Sequence, residues 1–71
     1  MKVTYDNEVQ ILYIYLQEPS PGIAKRTVYI DHGIHLDMDK DDKPLGFEIM
    51  LDDSTEEGRY MLLKHFDIGR Q

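Results

Sequence analysis

The residues with the clearest capacity for chemistry are the carboxylates of the stretch DMDKDDKPLGFE. Asp37, Asp39 and Asp41 alternate and Glu48 takes the twelfth position, which is nearly the spacing of an EF-hand calcium loop. That loop requires a glycine at its sixth position, where this chain has Asp42, and a helix on each side. The flanking residues alternate instead in the manner of strands. We interpret the stretch as an acidic hairpin turn, and leave open a weak affinity for divalent ions.

The other side chains with catalytic or metal-binding potential do not converge in the sequence. His32 lies in a turn and His35 on a strand three residues later, so their side chains should point to opposite faces, and cysteine ligands are absent. No serine has the spacing of a nucleophile elbow or a triad. His35 and Glu48 could form an acid–base pair on adjacent strands, although a plain cross-strand charge pair explains them equally well. We predict no catalytic residue, no cofactor and no metal site.

The composition is that of a short acidic chain. Seventy-one residues suffice for a single domain, which we assign to residues 1–71. Fourteen acidic and eight basic residues give a net charge of −6, which disfavours nucleic acid and favours encounters with basic proteins. The start lacks the pattern of a signal peptide, and no apolar run approaches the roughly 20 residues of a membrane helix. We therefore expect a cytoplasmic protein that binds neither nucleic acid nor membrane directly.

Five β-rich segments alternate with turn-forming residues over about residues 2–51. They read KVTY, ILYIYL, KRTVYID, GIHLDMD and PLGFEIML. In the last two, apolar side chains such as Ile34 and Phe47 occupy every second position, which is typical of half-buried antiparallel strands. The ILYIYL segment is apolar or aromatic throughout, as in a strand covered on both faces. The turns between the segments predict that consecutive strands pair as an antiparallel meander.

The remainder of the chain changes to helical periodicity and predicts one amphipathic helix over about residues 55–66. Ser54 and Glu57 have the spacing of a capping box, and Gly69 is suited to ending the helix. The predicted fold class is α+β, an antiparallel β-meander sheet of about five strands with the C-terminal helix packed on one face. The residues expected in the core are Leu12, Ile14, Leu16, Val28, Ile30, Ile34, Leu36, Phe47, Ile49 and Leu63.

The order of elements also resembles a known family. The start KVTYDNEVQILYIYL fits a pattern of Lys-hydrophobic-x-Tyr-Asp followed by Leu-Tyr-Ile-x-Leu, and the run from Gly46 to Ile49 fits its Gly-hydrophobic-Glu-Ile. Over roughly residues 2–52 the chain is similar to the YuzE-like family of small bacterial proteins, a domain of unknown function numbered 2283. It departs from the family where Gln10 or Val9 stands in place of a frequent aspartate, and in a longer final segment. The resemblance implies the sheet but carries no established activity.

The sheet face away from the helix, here called the outer face, holds the residues best suited to binding. On the expected register it presents Tyr13, Tyr15, Thr27, Tyr29, His35, Glu48 and Met50. Aromatic residues and methionine are enriched in protein interfaces, whereas amphipathic tyrosines on a solvated sheet would give the same pattern. The candidate interface residues are Tyr13, Tyr15, Tyr29, His35, Glu48 and Met50.

Two classes of function follow from these residues. The favoured one is a non-catalytic interaction module that forms a homodimer or binds another small protein, for example as the antitoxin-like half of a two-gene pair. The alternative is a small-ligand-binding or weakly catalytic domain that uses the outer face around His35 and Glu48, with or without a divalent ion at the acidic turn Asp37–Asp42.

Overall fold

The computed structural model describes residues 2–18 and 22–65, and these form five β-strands and one α-helix. The elements are β1 (Lys2–Asp6), β2 (Ile11–Tyr15), β3 (Arg26–Asp31), β4 (Ile34–Met38), β5 (Pro44–Met50) and α1 (Glu56–His65). Every strand pairs antiparallel within one sheet, so the predicted α+β fold with a C-terminal helix is confirmed. The predicted helix end at Phe66 and stop at Gly69 lie outside the described residues.

The order of the strands across the sheet is β1-β2-β5-β4-β3. Tight turns join β1 to β2, β3 to β4 and β4 to β5, and each of these pairs is adjacent as predicted. The meander does not continue from β2 to β3, because β2 pairs with β5 instead. β3 therefore lies at the far edge of the sheet, and β2 to β5 have the strand order of a Greek key.

The turn between β3 and β4 depends on a glycine in a left-handed conformation. Gly33 has φ of +73°, a conformation that glycine adopts without steric cost. A Cβ atom there would lie 2.5 Å from the backbone nitrogen of Ser54, so the turn also packs directly against the chain before α1. Any side chain at this position would separate the sheet from the start of the helix.

The inner face of the sheet, which packs against α1, holds the apolar core. The buried residues of this core come from four of the elements and are Ile14, Ile34, Leu36, Leu45, Phe47, Ile49 and Leu62. Leu12 and Val28 are half-buried against this cluster. Five of the ten predicted core residues are thus buried, and they belong to β2, β4 and β5, the inner strands of the sheet.

Three predicted core residues are wrong. Leu16 lies beyond the end of β2 and is 37% exposed. Ile30 is 38% exposed because a β-bulge between Tyr29 and Asp31 sets Asp31, rather than Ile30, opposite Ile34. Leu63 is 42% exposed, since α1 directs the neighbouring residue Leu62 into the core.

The predicted capping box at the start of α1 is also wrong by one residue. Thr55 caps the helix, because its Oγ1 accepts a hydrogen bond from the backbone nitrogen of Gly58 at 2.9 Å. Ser54 is buried, and its hydroxyl accepts a hydrogen bond from Nη1 of Arg59 at 2.8 Å. Within the described residues, no helix is long and apolar enough to span a membrane.

Candidate functional site

The strand register brings all of the predicted interface residues onto the outer face. One cross-strand row runs from Tyr13 through Glu48 and His35 to Tyr29. The neighbouring row holds Tyr15, Gly46, Asp37 and Thr27, and Met50 lies opposite Ile11. Because paired residues in a sheet point to the same side, these side chains form one continuous surface across β2, β5, β4 and β3.

The aromatic rings of this surface pack against one another in two groups. The rings of Tyr13 and Tyr15 have centroids 4.5 Å apart, and both side chains are half-buried. The rings of Tyr29 and His35 meet edge to face at 6.0 Å. Tyr29 is 64% exposed, so its ring is open to a partner. The Lys2 ammonium lies 5.8 Å from the centre of the Tyr15 ring and extends the surface to β1.

Tyr13 reaches across a neighbouring strand because Gly46 has no side chain. A Cβ atom on Gly46 would lie 2.6 Å from the Tyr13 ring and 2.5 Å from the carbonyl oxygen of Ile14. The ring therefore lies over the bare backbone of β5, and its hydroxyl donates a 2.6 Å hydrogen bond to Asp37 on β4. Glycine inside a strand often marks such a close approach.

The Asp37 carboxylate accepts hydrogen bonds from strands on both sides of β4, all on the outer face. Its Oδ2 accepts from Tyr13, and its Oδ1 accepts a 2.7 Å hydrogen bond from the Thr27 hydroxyl on β3. Burial, followed by the hydrogen bond to Asp37 and the charge of that carboxylate, raises the pKa of Tyr13 well above its ordinary value of 10.0. The phenol thus remains a donor at neutral pH, and the network Tyr13–Asp37–Thr27 fixes the middle of the outer face.

His35 and Glu48 lie directly opposite each other, as the acid–base interpretation required. The described part of the chain nevertheless shows no ion pair between them. The Nδ1 atom of His35 is buried and has no hydrogen-bond partner there, which is uncommon for a buried polar atom. The two side chains therefore share a surface without forming a hydrogen-bonded catalytic couple.

The acidic turn uses its carboxylates to order the backbone. The Oδ1 atom of Asp39 accepts hydrogen bonds from the backbone nitrogens of Asp41 and Lys43, at 2.8 and 2.9 Å. The bond from Lys43 is the main cause that lowers the pKa of Asp39 below its ordinary value. Asp42 adopts a left-handed φ of +58° and its side chain pairs with Arg26 at 2.9 Å. These contacts are those of a hairpin turn, with Asp39 as its internal acceptor.

The EF-hand spacing does not bring the carboxylates together. Asp37 faces the outer surface and binds Tyr13 and Thr27, while Asp39 binds the turn backbone. No group of three or more His, Cys, Asp or Glu side chains in residues 2–18 and 22–65 is placed to hold a metal ion. Glu48, the twelfth position of the motif, belongs to the row of the outer face.

The sequence does not reveal the roles of two residues of the outer face, Asp37 and Gly46. Alternation along β4 places Asp37 on this face, but it does not show that Asp37 accepts a hydrogen bond from Tyr13. Gly46 was noted only as part of a family pattern. The available signal was the glycine itself, because a glycine flanked by strand residues indicates that another group approaches the backbone closely.

Comparison with known protein families gives a match to the part of the chain that forms the sheet. A family model described as "Protein of unknown function (DUF2283)" matches residues 2–50, which span all five strands. Neither the curated proteins nor the solved structures that were searched gave a significant match. Because the matched segment covers well over half of its length, this chain belongs to the DUF2283 family of proteins of unknown function.

Proposed function

We propose that this chain is a non-catalytic interaction module of the cytoplasm, which binds a basic surface of another small protein through its outer face. The observation that carries the proposal is the hydrogen-bonded network of Tyr13, Asp37 and Thr27, which orders an aromatic surface before any partner is present. An ordered aromatic surface loses little conformational entropy on binding.

The charge of the chain supports a basic protein as the partner. The net charge is −6, and Glu48 lies at the centre of the outer face between Tyr13 and His35. A positive surface would be attracted on approach and could neutralise Glu48 once bound. The same charge opposes direct binding of nucleic acid. A toxin-neutralising role in a two-gene pair is one form that such an interaction takes.

The size of the outer face is suited to a protein partner. The two largest dimensions of the Cα trace are 30 and 27 Å. A protein interface of standard size buries roughly 800 Å² on each side, which is comparable with the product of these two dimensions. A second copy of this chain is the alternative occupant of the same surface.

The direct test is affinity capture from the native cell with matched tyrosine variants. The double variant Tyr15→Ser with Tyr29→Ser removes one half-buried and one exposed ring but leaves the Tyr13–Asp37 hydrogen bond in place. Tyr60→Ser is the control, because Tyr60 is 55% exposed on α1, away from the outer face. We expect a specific basic protein to be retained by the parent and the control and lost from the double variant. Equal retention by all three would reject the outer face as the binding surface.

A small-ligand site around His35 and Glu48 is the second candidate, favoured by the buried Nδ1 atom of His35 that has no hydrogen-bond partner in the described residues. A polar ligand that reorients the ring would satisfy that atom. Screening small polar fragments by nuclear magnetic resonance would reveal it, since a bound fragment should shift the His35 ring signals and leave those of His32 unchanged. No shift confined to His35 at millimolar fragment concentration would exclude this candidate.

A further inference from the structure

The strand β1 is an edge strand of the sheet. The side of β1 that faces away from β2 has no partner strand in the described part of the chain. β1 pairs with β2 on one side only, and all five of its residues are exposed. An edge strand of this kind offers a row of backbone donors and acceptors to another strand. Natural proteins usually protect such an edge or use it for assembly.

The opposite edge, β3, shows the kind of protection that β1 lacks. A bulge between Tyr29 and Asp31 interrupts the regular spacing of its backbone groups. β1 has an uninterrupted register with β2 from Lys2 to Asp6, so its free edge is regular over its whole length. Bulges are a common means of preventing edge-to-edge pairing, and their absence from β1 leaves that edge available.

The sequence of β1 is complementary to itself when two copies run antiparallel. If Thr4 lies opposite Thr4 of a second copy, then Lys2 lies opposite Asp6 and Val3 lies opposite Tyr5. Each position meets one on the same face of the sheet, because these partners differ by an even number of residues. Opposite charges meet at both ends of the pairing, and cross-strand pairs of this kind are stabilising.

The same register covers apolar surface that α1 leaves open. Val3 is 55% exposed and Tyr5 is 49% exposed, and both point to the inner face because they pair with Ile14 and Leu12. The self-paired arrangement places Val3 of each copy against the Tyr5 ring of the other. The two apolar contacts lie on the inner side of the joined sheet, and the two charge pairs lie on the outer side.

We propose that β1 pairs antiparallel with β1 of a second copy, centred on Thr4. The product is a symmetric dimer with one continuous sheet of ten strands, five from each copy. Its twofold axis is perpendicular to the sheet, so both outer faces point in the same direction. This assembly does not rest on the proposed function of the outer face, which remains uncovered, but it would present that face twice to a bivalent partner.

The first test combines light scattering with charge-reversal variants over a range of protein concentrations. The parent should dimerise, whereas Lys2→Glu and Asp6→Lys should each weaken dimerisation by about tenfold or more, because each places like charges opposite each other twice. Mixing the two variants should restore a dimer, since Glu at position 2 then meets Lys at position 6. Lys25→Glu, which changes the net charge as Lys2→Glu does but lies outside β1, should behave as the parent does.

The second test measures the register with single cysteines, which is possible because the chain has no native cysteine. Thr4→Cys should be cross-linked between copies by a short thiol-reactive reagent, whereas Val3→Cys should react much more slowly because position 3 faces position 5. The proposal is overturned if the parent is monomeric at high micromolar concentration or if the mixed variants fail to dimerise. It is also overturned if Val3→Cys cross-links as fast as Thr4→Cys, or if Tyr29→Ser alone dissociates the dimer.

Discussion

The two faces of the sheet are stabilised by different physical interactions. The inner face is apolar, and its central residues Ile34, Phe47 and Ile49 are almost inaccessible to water. The outer face is held by directional hydrogen bonds that converge on Asp37, and its rings remain half-buried or exposed. The inner face supplies most of the stability through burial, whereas the outer face fixes geometry at a surface that solvent can still reach.

Removing the largest buried side chain of the inner face should have the greatest effect. Phe47 is 0% exposed, so Phe47→Ala should lower the free energy of unfolding by about 3–5 kcal/mol through lost burial and the remaining cavity. Urea denaturation followed by circular dichroism measures this loss. Tyr60→Ala is the control, since an exposed helix position should change stability by less than about 0.5 kcal/mol. A similar loss in both variants would contradict the assignment of the core.

Adding a single methyl group on the outer face should cause the next largest loss of stability. Gly46→Ala would place its Cβ 2.5 Å from the Ile14 carbonyl oxygen and 2.6 Å from the Tyr13 ring. We expect a loss of about 1–3 kcal/mol, because backbone and ring must both move. Combining Gly46→Ala with Tyr13→Ala separates the contact with the Tyr13 ring from the contact with the Ile14 carbonyl oxygen. The loss of stability in the double variant should be smaller than the sum of the losses in the two single variants. Strict additivity would show that the ring does not lie over Gly46.

Removing the Tyr13 hydroxyl tests the Tyr13–Asp37–Thr27 network with less change to the packing of the outer face. Tyr13→Phe deletes the donor to Asp37, and we expect a loss of about 1–2 kcal/mol, as for a hydrogen bond to a charged group that is partly solvated. Tyr15→Phe is the matched control, since the described residues give its hydroxyl no hydrogen bond. If thermal denaturation shows equal effects for the two variants, the Asp37 network does not stabilise this face.

A substitution in the acidic turn should have the smallest effect on stability, and the size of that effect should depend on pH. The pKa of Asp39 is lowered from 3.8 in the folded chain, so its ionised form stabilises the fold above about pH 4, and this contribution is lost as pH falls through the folded pKa. Asp39→Asn should therefore be less stable than the parent at neutral pH, and the difference should shrink in acid. Denaturation curves at several pH values measure it, and a gap that widens in acid would contradict the sign.

Much of the fold was predictable because the signals for individual elements are local. Alternation of apolar and polar residues placed β4 and β5 within one residue of their observed ends. The change to helical period located the start of α1 within one residue. Two predictions were wrong by one residue: Thr55 rather than Ser54 caps the helix, and Leu62 rather than Leu63 lies in the core. In both cases adjacent residues are equally suitable by type, and tertiary packing determines which one is used.

The strand order and the centre of the outer face were not predictable by the same means. The pairing of β2 with β5 joins segments that are distant in the chain. No short turn connects these two strands, so no local sequence signal predicts that they pair. The contact between Tyr13 and Asp37 depends on that pairing, on the register of β4, and on the bare backbone of Gly46 between them. Sequence patterns locate side chains on faces, but they do not state which strands are neighbours.

The pairing of β2 with β5 also has a consequence for the order of events during synthesis. The register joins Ile11 to Met50, so the apolar segment ILYIYL leaves the ribosome well before the strand that will cover it. Until β5 has emerged, the only native partner of β2 is β1, and a lone two-stranded hairpin is marginal in water. Closure of the sheet is therefore a late, long-range step, and until it occurs the apolar ILYIYL segment lacks the strand that covers its second edge.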